Sequence, residues 1–329
     1  MTILINLFWI AVAIAVALGA GWLFRAAIMA LARGATARAL RTAPVTAGFG
    51  MLVILIYVFV AVFAPLIAPH AEREIVGAQF LPWDAAHLLG TDNLGRDMLS
   101  RLIYGARTTF VIALAVALFR IVLGVGLGWV AAYYPGNVRR NALLLASVSA
   151  TIPSLLFAYL VIVTVGPTRG PILFILAMGL TGWAPWTQLA YSGIQRIRSE
   201  EYMLASQAIG STRWSQARYY LLPNLLPALI PVAAAEAAAS LLLLAELGFL
   251  GIFLGATRQV TMSSLLGGEQ PILVLPEWGA MLAGTRLEIF NWWWLTVMPA
   301  LAFALAIFGL HLLGDGLREA LEIDQGRRG

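Results

Sequence analysis

The chain has 329 residues, 61% of them hydrophobic and 11% charged, with a mean hydropathy of +0.86, far above an average soluble domain. Its net charge of +5 rests on arginine alone, because the sequence has no lysine, and it has no cysteine. These numbers exclude an ordinary soluble globule, disulfides, thiolate metal centres, cysteine nucleophiles and any P-loop, whose GxxxxGK[ST] signature requires a lysine.

A hydrocarbon core of about 30 Å asks for about 20 apolar residues per helix. Seven stretches qualify: 3–24, 48–67, 109–133, 141–165, 171–193, 224–247 and 290–313. Their apolarity is continuous rather than alternating, which selects helices over barrel strands, so the predicted fold class is all-α, a polytopic helical membrane protein. The first stretch, MTILINLFWIAVAIAVALGAG, lacks a basic n-region and is too long for a typical h-region, and reads as a retained helix rather than a signal peptide. Behind it, Arg25, Arg33, Arg38 and Arg41 stand with no acid among them. With the C-terminus inside, the segments 25–47, 134–140, 194–223 and 314–329 hold 13 of the 21 arginines and the outer segments seven. That asymmetry predicts a multi-pass protein with a cytoplasmic C-terminus. The positive charge then belongs to topology and anionic lipid, with no nucleic-acid partner.

In the long outer loop, His70 and His87 lie among Glu72, Glu74 and Asp84; a weak metal site is one reading, and ordinary solvated loop residues with no metal are the favoured one. Thr91 or Asp92 can cap a turn before the amphipathic run to Ile103. Arg120 and Glu236 fall near the middle of their spans, where a charge costs roughly 2.5–3.5 kcal/mol. They are expected to pair or to face water, either on a substrate route or as a buried structural ion pair. Glu246, nearer the outer end, reads as an interface or gate residue. Pro153, Pro185, Pro227 and Pro231 leave helix carbonyls without donors, which suits helices bent around a cavity.

Residues 200–224, EEYMLASQAIGSTRWSQARYYLLPN, replace hydrocarbon with charges, aromatics and a central glycine. The spacing predicts a helix over 200–209, a turn with Gly210 at positive φ, and a second helix from Ser211 or Thr212 to Leu222. Tyr202, Met203, Ala205, Ile209, Trp214, Ala217, Tyr220 and Leu221 give these helices faces that want burial. Pro223, placed in the first turn of the next span, predicts a sharp bend there. Two readings fit: an amphipathic element in the headgroup layer, or a docking knob for a cytosolic partner.

Ala205, Ser206, Gly210, Leu222 and Pro223 resemble the EAA loop of bacterial ABC importer permeases, with the same spacing from Gly210 to Pro223. Leu204 stands where that loop carries a glutamate, Tyr220 where it carries an isoleucine, and Ser206 replaces its second alanine. The segments LLGTDNLGRDMLSRLIYGAR (88–107), LTGWAPWTQLA (180–190), AELGFLG (245–251) and LLGDGLREALE (312–322) are similar to the C-type permease of the dipeptide, oligopeptide and nickel importers, and the likeness runs from residue 48 onward. The resemblance implies a type I ABC importer transmembrane fold: a six-helix permease domain over 48–329, preceded by an additional helix and arginine-rich loop over 1–47, with an insertion around 254–275. It implies coupling helices at 200–223, in which Tyr202, Ala205, Ser206, Gly210 and Pro223 meet an ATPase. It implies a second homologous permease, two ABC ATPase subunits and an extracytoplasmic binding protein as partners in the bacterial inner membrane. The chain itself would bind no cofactor and catalyse nothing; ATP and Mg would sit on the ATPases. The competing readings are an ion-coupled secondary transporter using Arg120 and Glu236 as a relay, and a membrane scaffold or sensor. The EAA-like loop and the absence of any evident inverted repeat count against the secondary transporter.

Overall fold

The computed structural model describes residues 45–165, 170–254 and 276–326. The helix expected at 3–24, the arginine-rich loop after it and nearly all of the insertion lie outside the described residues. Among those described, the chain is all-helical, with isolated β-bridges only in the loop before the third helix.

Helix α1 (Val45–Val62) and the single turn α2 (Ala64–Ile67) are followed by a long loop and by α3 (Met98–Tyr133). Then come α4 (Asn137–Thr151), α5 (Ser154–Val165), α6 (Pro171–Gly179) and α7 (Ala184–Arg198). A short hairpin, α8 (Glu201–Ala208) and α9 (Arg213–Gln216), leads through a π-helical turn, Ala217–Leu221, into α10 (Leu222–Phe249). The described chain closes with α11 (Trp278–Thr285) and α12 (Trp293–Gly326).

Three runs are long and apolar enough to cross a membrane as single helices: Met98–Tyr133, Arg213–Phe249 and Trp293–Ala320. Two bent pairs qualify jointly, α4 with α5 at 91° and α6 with α7 at 57°, and Thr46–Val62 is a shorter apolar helix. Each of the six apolar stretches expected from residue 48 onward falls on one of these helices or pairs. Proline explains both breaks. Ile152 precedes Pro153 and is extended, with ψ 123°, as a residue before proline must be. Pro185 sits in the first turn of α7, where its missing N–H costs nothing.

One local expectation is met and one corrected. Asp92 caps the turn before α3, its Oδ1 accepting the N–H groups of Leu94 at 2.8 Å and Arg96 at 3.0 Å, while α3 itself is capped by Asp97, which accepts the Ser100 N–H at 2.8 Å. Thr91 instead ties the loop together, donating to Ala78 O at 2.7 Å and accepting from Leu81 N at 2.8 Å. There is no sharp bend at Pro223: Arg213–Phe249 is one 37-residue helix. The π turn is the reason. Pro223 has no N–H for the usual four-residue bond, and the widened turn carries the Leu222 N–H back to Ala217 O while Asn224 Nδ2 donates to Tyr220 O at 2.7 Å.

Helix α12 packs between α1 and α10, and α3 packs against α1, α7 and α10. The α3–α7 contact is made close by Gly124 and Gly128, one turn apart. A Cβ at Gly124 would lie 2.4 Å from Trp183 O, and one at Gly128 would lie 2.6 Å from Thr187 O, so only glycine lets these backbones meet. At one end of the bundle Trp278 is buried between Phe110 and Phe303 and donates Nε1–H to Leu102 O at 2.8 Å, pinning α11 to α3. At the other end Arg198 and Arg139 donate to the last carbonyls of α3, Ala132 O at 2.8 Å and Ala131 O at 3.3 Å, as cations at a helix C-terminus should. The long loop thus lies at the N-terminal end of α3 and the hairpin at its C-terminal end.

Candidate functional site

Two features stand out, and one helix joins them. The first is the hairpin. Helix α8 ends in a full Schellman turn: Gly210, at φ +80°, donates to Gln207 O at 3.0 Å, and Ser211 N donates to Ser206 O at 3.1 Å. Thr212 then caps α9 by accepting the Ser215 N–H. Ser206 is buried and its hydroxyl meets that of Ser211 at 2.5 Å, while Gln216 Nε2 donates to Ser211 O at 3.0 Å. Ser206 and Gly210 therefore hold the turn from inside. Met203, Ala217 and Leu221 are buried with Ile194, Ile197 and Leu225, which seats the hairpin on α7 and α10.

The opposite face is bare. Ile209 is 82% exposed, Trp214 73% and Tyr202 42%, and Leu204, Ala205 and Pro223 are exposed as well. The apolar positions thus split between two faces, with Met203, Ala217 and Leu221 turned inward and Ile209, Trp214 and Tyr202 turned out. Tyr202 stacks on Tyr220 with ring centroids 6.1 Å apart, which fixes the angle between the two arms.

The second feature is a buried polar knot. Arg120 on α3 donates Nη1–H to Glu236 Oε1 on α10 at 2.8 Å, and Glu236 Oε2 accepts the Trp186 Nε1–H at 2.7 Å. The rest of the guanidinium is spent at the α6–α7 break, where Nη2 donates to Met178 O at 3.0 Å and to Thr181 Oγ1. The break supplies that carbonyl, and Gly182, at φ +70°, supplies the space: a Cβ there would lie 2.9 Å from the guanidinium carbon. The side chains of Arg120 and Glu236 are only 4% and 12% exposed. Of the two alternatives for these charges, pairing or facing water, the structure shows pairing. Charge-assisted bonds to every face of the knot are what a buried pair needs to offset its desolvation. Glu246 is not part of it. It lies ten residues, about 15 Å, further along α10, and is half-buried at the loop end.

The loop end holds charged groups whose burial the sequence spacing did not show. Asp92 is buried and takes salt bridges from Arg96, at 2.8 Å, and Arg101. Burial alone would raise its carboxyl, but Arg101, Arg96 and two backbone N–H groups outweigh it and hold the group below its ordinary range. Glu277, at the start of α11, is fully buried and accepts the Leu254 N–H at 3.0 Å. Burial pushes its carboxyl up to about 8 against the opposing effect of that one bond, so it is largely neutral at pH 7. His87 is also buried, 8% exposed, which corrects its reading as a solvated residue.

Comparison with known proteins places these features in a family. Residues 124–323, which include the hairpin and Glu236, match the family described as the binding-protein-dependent transport system inner membrane component. Over 280 residues the chain is 33% identical to the di/tripeptide transport system permease protein DppC of Pseudomonas aeruginosa, covering 83% of this chain and 86% of that one. It is 33% identical over 274 residues to the dipeptide transport system permease protein DppC of Bacillus subtilis, covering 82% and 80%. It is 29% identical over 286 residues to the probable D,D-dipeptide transport system permease protein DdpC of Escherichia coli, covering 86% and 89%.

Proposed function

We infer function from family first: this chain belongs to the binding-protein-dependent transport system inner membrane components, and it is a membrane-spanning permease. We propose that it is the permease subunit of an ATP-driven importer for short peptides. The peptide class follows the names of its relatives, three of which are di/tripeptide, dipeptide and D,D-dipeptide permeases.

The observation that carries the mechanism is the continuity of α9, the π turn and α10. A 37-residue helix begins in the hairpin and passes Glu236 on its way to the loop end. At about 1.5 Å per residue, Glu236 lies some 35 Å from the start of α9. We place the hairpin in the cytoplasm, with the C-terminus, and assign Tyr202, Ala205, Ile209 and Trp214 to a groove on an ABC ATPase; Ser206, Gly210 and Pro223 shape the hairpin that presents them. Two such ATPases would carry ATP and Mg. A second, homologous permease would complete the pathway, and an extracytoplasmic binding protein would deliver substrate at the loop end. Closure of the ATPases would pull on the hairpin and tilt α10. The Arg120–Glu236–Trp186 knot ties that helix to α3 and to the α6–α7 break, so the tilt reaches three elements together.

The test uses the importer reconstituted in nanodiscs. Ile209→Ser combined with Trp214→Ser should leave the permease folded and lower both ATPase co-purification and substrate-stimulated hydrolysis by about tenfold or more, the loss of two buried apolar anchors. Wild-type values for both would overturn the docking role.

A further inference from the structure

At the loop end, His70, His87 and Asp97 offer three ligand atoms that all lie within 4.8 Å of one another. The three residues come from separate places: His70 from just after α2, His87 from the middle of the loop, Asp97 from the cap of α3. We propose that they bind a divalent transition-metal ion, zinc in the first instance, which fastens the loop to the start of α3.

The donor set is two imidazoles and a carboxylate, the chemistry of borderline ions such as zinc rather than of calcium or magnesium. The spacing agrees. His87 Nδ1 and Asp97 Oδ1 are 3.3 Å apart, long for a charge-assisted hydrogen bond of about 2.7–2.9 Å. It equals the edge of a tetrahedron whose ligands stand about 2.0–2.1 Å from zinc. The His70 and His87 rings lie with centroids 5.5 Å apart, and the wider pairs, within 4.8 Å, must close toward about 3.3 Å when the ion binds.

A supporting shell is already built. Asp97 Oδ2 is taken by the Ser100 N–H at 2.8 Å and the Ser100 hydroxyl at 2.7 Å, which turns Oδ1 toward the histidines. The same Ser100 hydroxyl accepts the His70 backbone N–H at 3.0 Å, and Asp84 Oδ1 accepts that of His87 at 2.5 Å. Such outer contacts orient ligands and tune affinity. A fourth position is open to Glu74, whose Oε2 is 4.0 Å from His70 Nδ1, or to water.

The experiment uses the full chain in nanodiscs, purified with a tag that contains no histidine and stripped with EDTA. Cobalt(II) is added and its visible absorption followed, then displaced with zinc. One ion per chain with a tetrahedral spectrum is expected. His70→Gln should weaken binding by about 100-fold or more, since even loss of an outer contact costs about 10–100-fold, and zinc should raise the melting temperature of the wild type but not of this variant. His311→Gln, which changes the third of only three histidines, should change nothing. His70 is the variant to rely on if His87→Gln fails to fold, because its ring lies at the rim, with 29% of the side chain exposed. Cobalt binding that survives His70→Gln unweakened, or a stoichiometry far below one, overturns the proposal and leaves His87 and Asp97 as a plain hydrogen-bonded pair.

Discussion

Arg120 spends its donors in three directions: on Glu236 of α10, on the carbonyl exposed by the α6–α7 break, and on the hydroxyl of Thr181. Removing either charge leaves the other buried and uncompensated, a loss of about 3–5 kcal/mol. Arg120→Leu and Glu236→Leu should therefore each lower folded yield sharply. The double variant should recover much but not all of it, because Met178 O and Trp186 Nε1 would still lose their partners. Additive losses in the mutant cycle would mean the two charges are not coupled. Transport by a stable double variant then separates a structural pair from a pathway element: normal flux marks the first, lost flux the second. Glu277 makes a different prediction. Its folded carboxyl binds a proton up to about pH 8, whereas an unfolded glutamate releases it near 4.3. Between those values the folded state holds more protons, so stability falls as pH rises, by a few kcal/mol in total. Glu277→Gln keeps an acceptor for the Leu254 N–H and should flatten the melting temperature between pH 5 and 8; an unchanged slope would show that another group sets it. That two charges in mid-span need compensation was legible from hydropathy alone, since lipid leaves few alternatives. The burial of Glu277 and His87 was not, because neither lies on a periodic helical run that would show which residues turn inward.

Among the elements, the hairpin shows how far local chemistry reaches. Gly210 and Thr212 marked its turn and its second cap in the sequence, and both act through bonds within five residues of themselves. No neighbour lies within 4 Å of a Cβ built at Gly210, so substitution there tests backbone conformation alone. Gly210→Val should cost about 1–2 kcal/mol for a side chain at positive φ, enough to lower coupled ATP hydrolysis about 5–30-fold. Gly210→Asn should be tolerated; equal loss in both would point to the side chain instead of the turn. The continuity of α9 with α10 was not legible, since proline announces a missing N–H but not whether a bend or a π turn absorbs it. The same holds for α3 and α7, whose close approach depends on which turn of one meets which turn of the other. There, Gly124→Leu should overpack the contact by about 1–3 kcal/mol and reduce folded yield. Gly126→Leu, on the same helix but with open space around it, should not. Similar yields for the two would remove the glycine contact from the account of this packing.

At the scale of the whole molecule, the two ends of α3 differ in chemistry as well as in fold. One end gathers Arg139, Arg198, Arg213 and Arg218 around the hairpin. The other joins the long loop to α11 through Ser100, Thr109 and Trp278. Arginine is favoured on the cytoplasmic side during insertion, so the arginine count along the sequence predicts one orientation for the packed helices, with the hairpin inside. Apolar length was enough to locate the six stretches from residue 48 onward, each of which falls on a helix or a bent pair, because it is set by the bilayer rather than by partners within the fold. The bends of 91° and 57° inside two of those spans depend on tertiary contacts as well as on Pro153 and Pro185. The orientation has a direct test, since a chain free of cysteine gives no background to a thiol probe. Gln79→Cys in the long loop and Asn137→Cys beside the C-terminus of α3 both replace exposed residues. An impermeant maleimide added to intact spheroplasts should label position 79 at once and position 137 only after permeabilisation. The reverse pattern would put the hairpin outside and remove it from any cytosolic ATPase, leaving the permease fold in place but without the coupling assigned to Ile209 and Trp214.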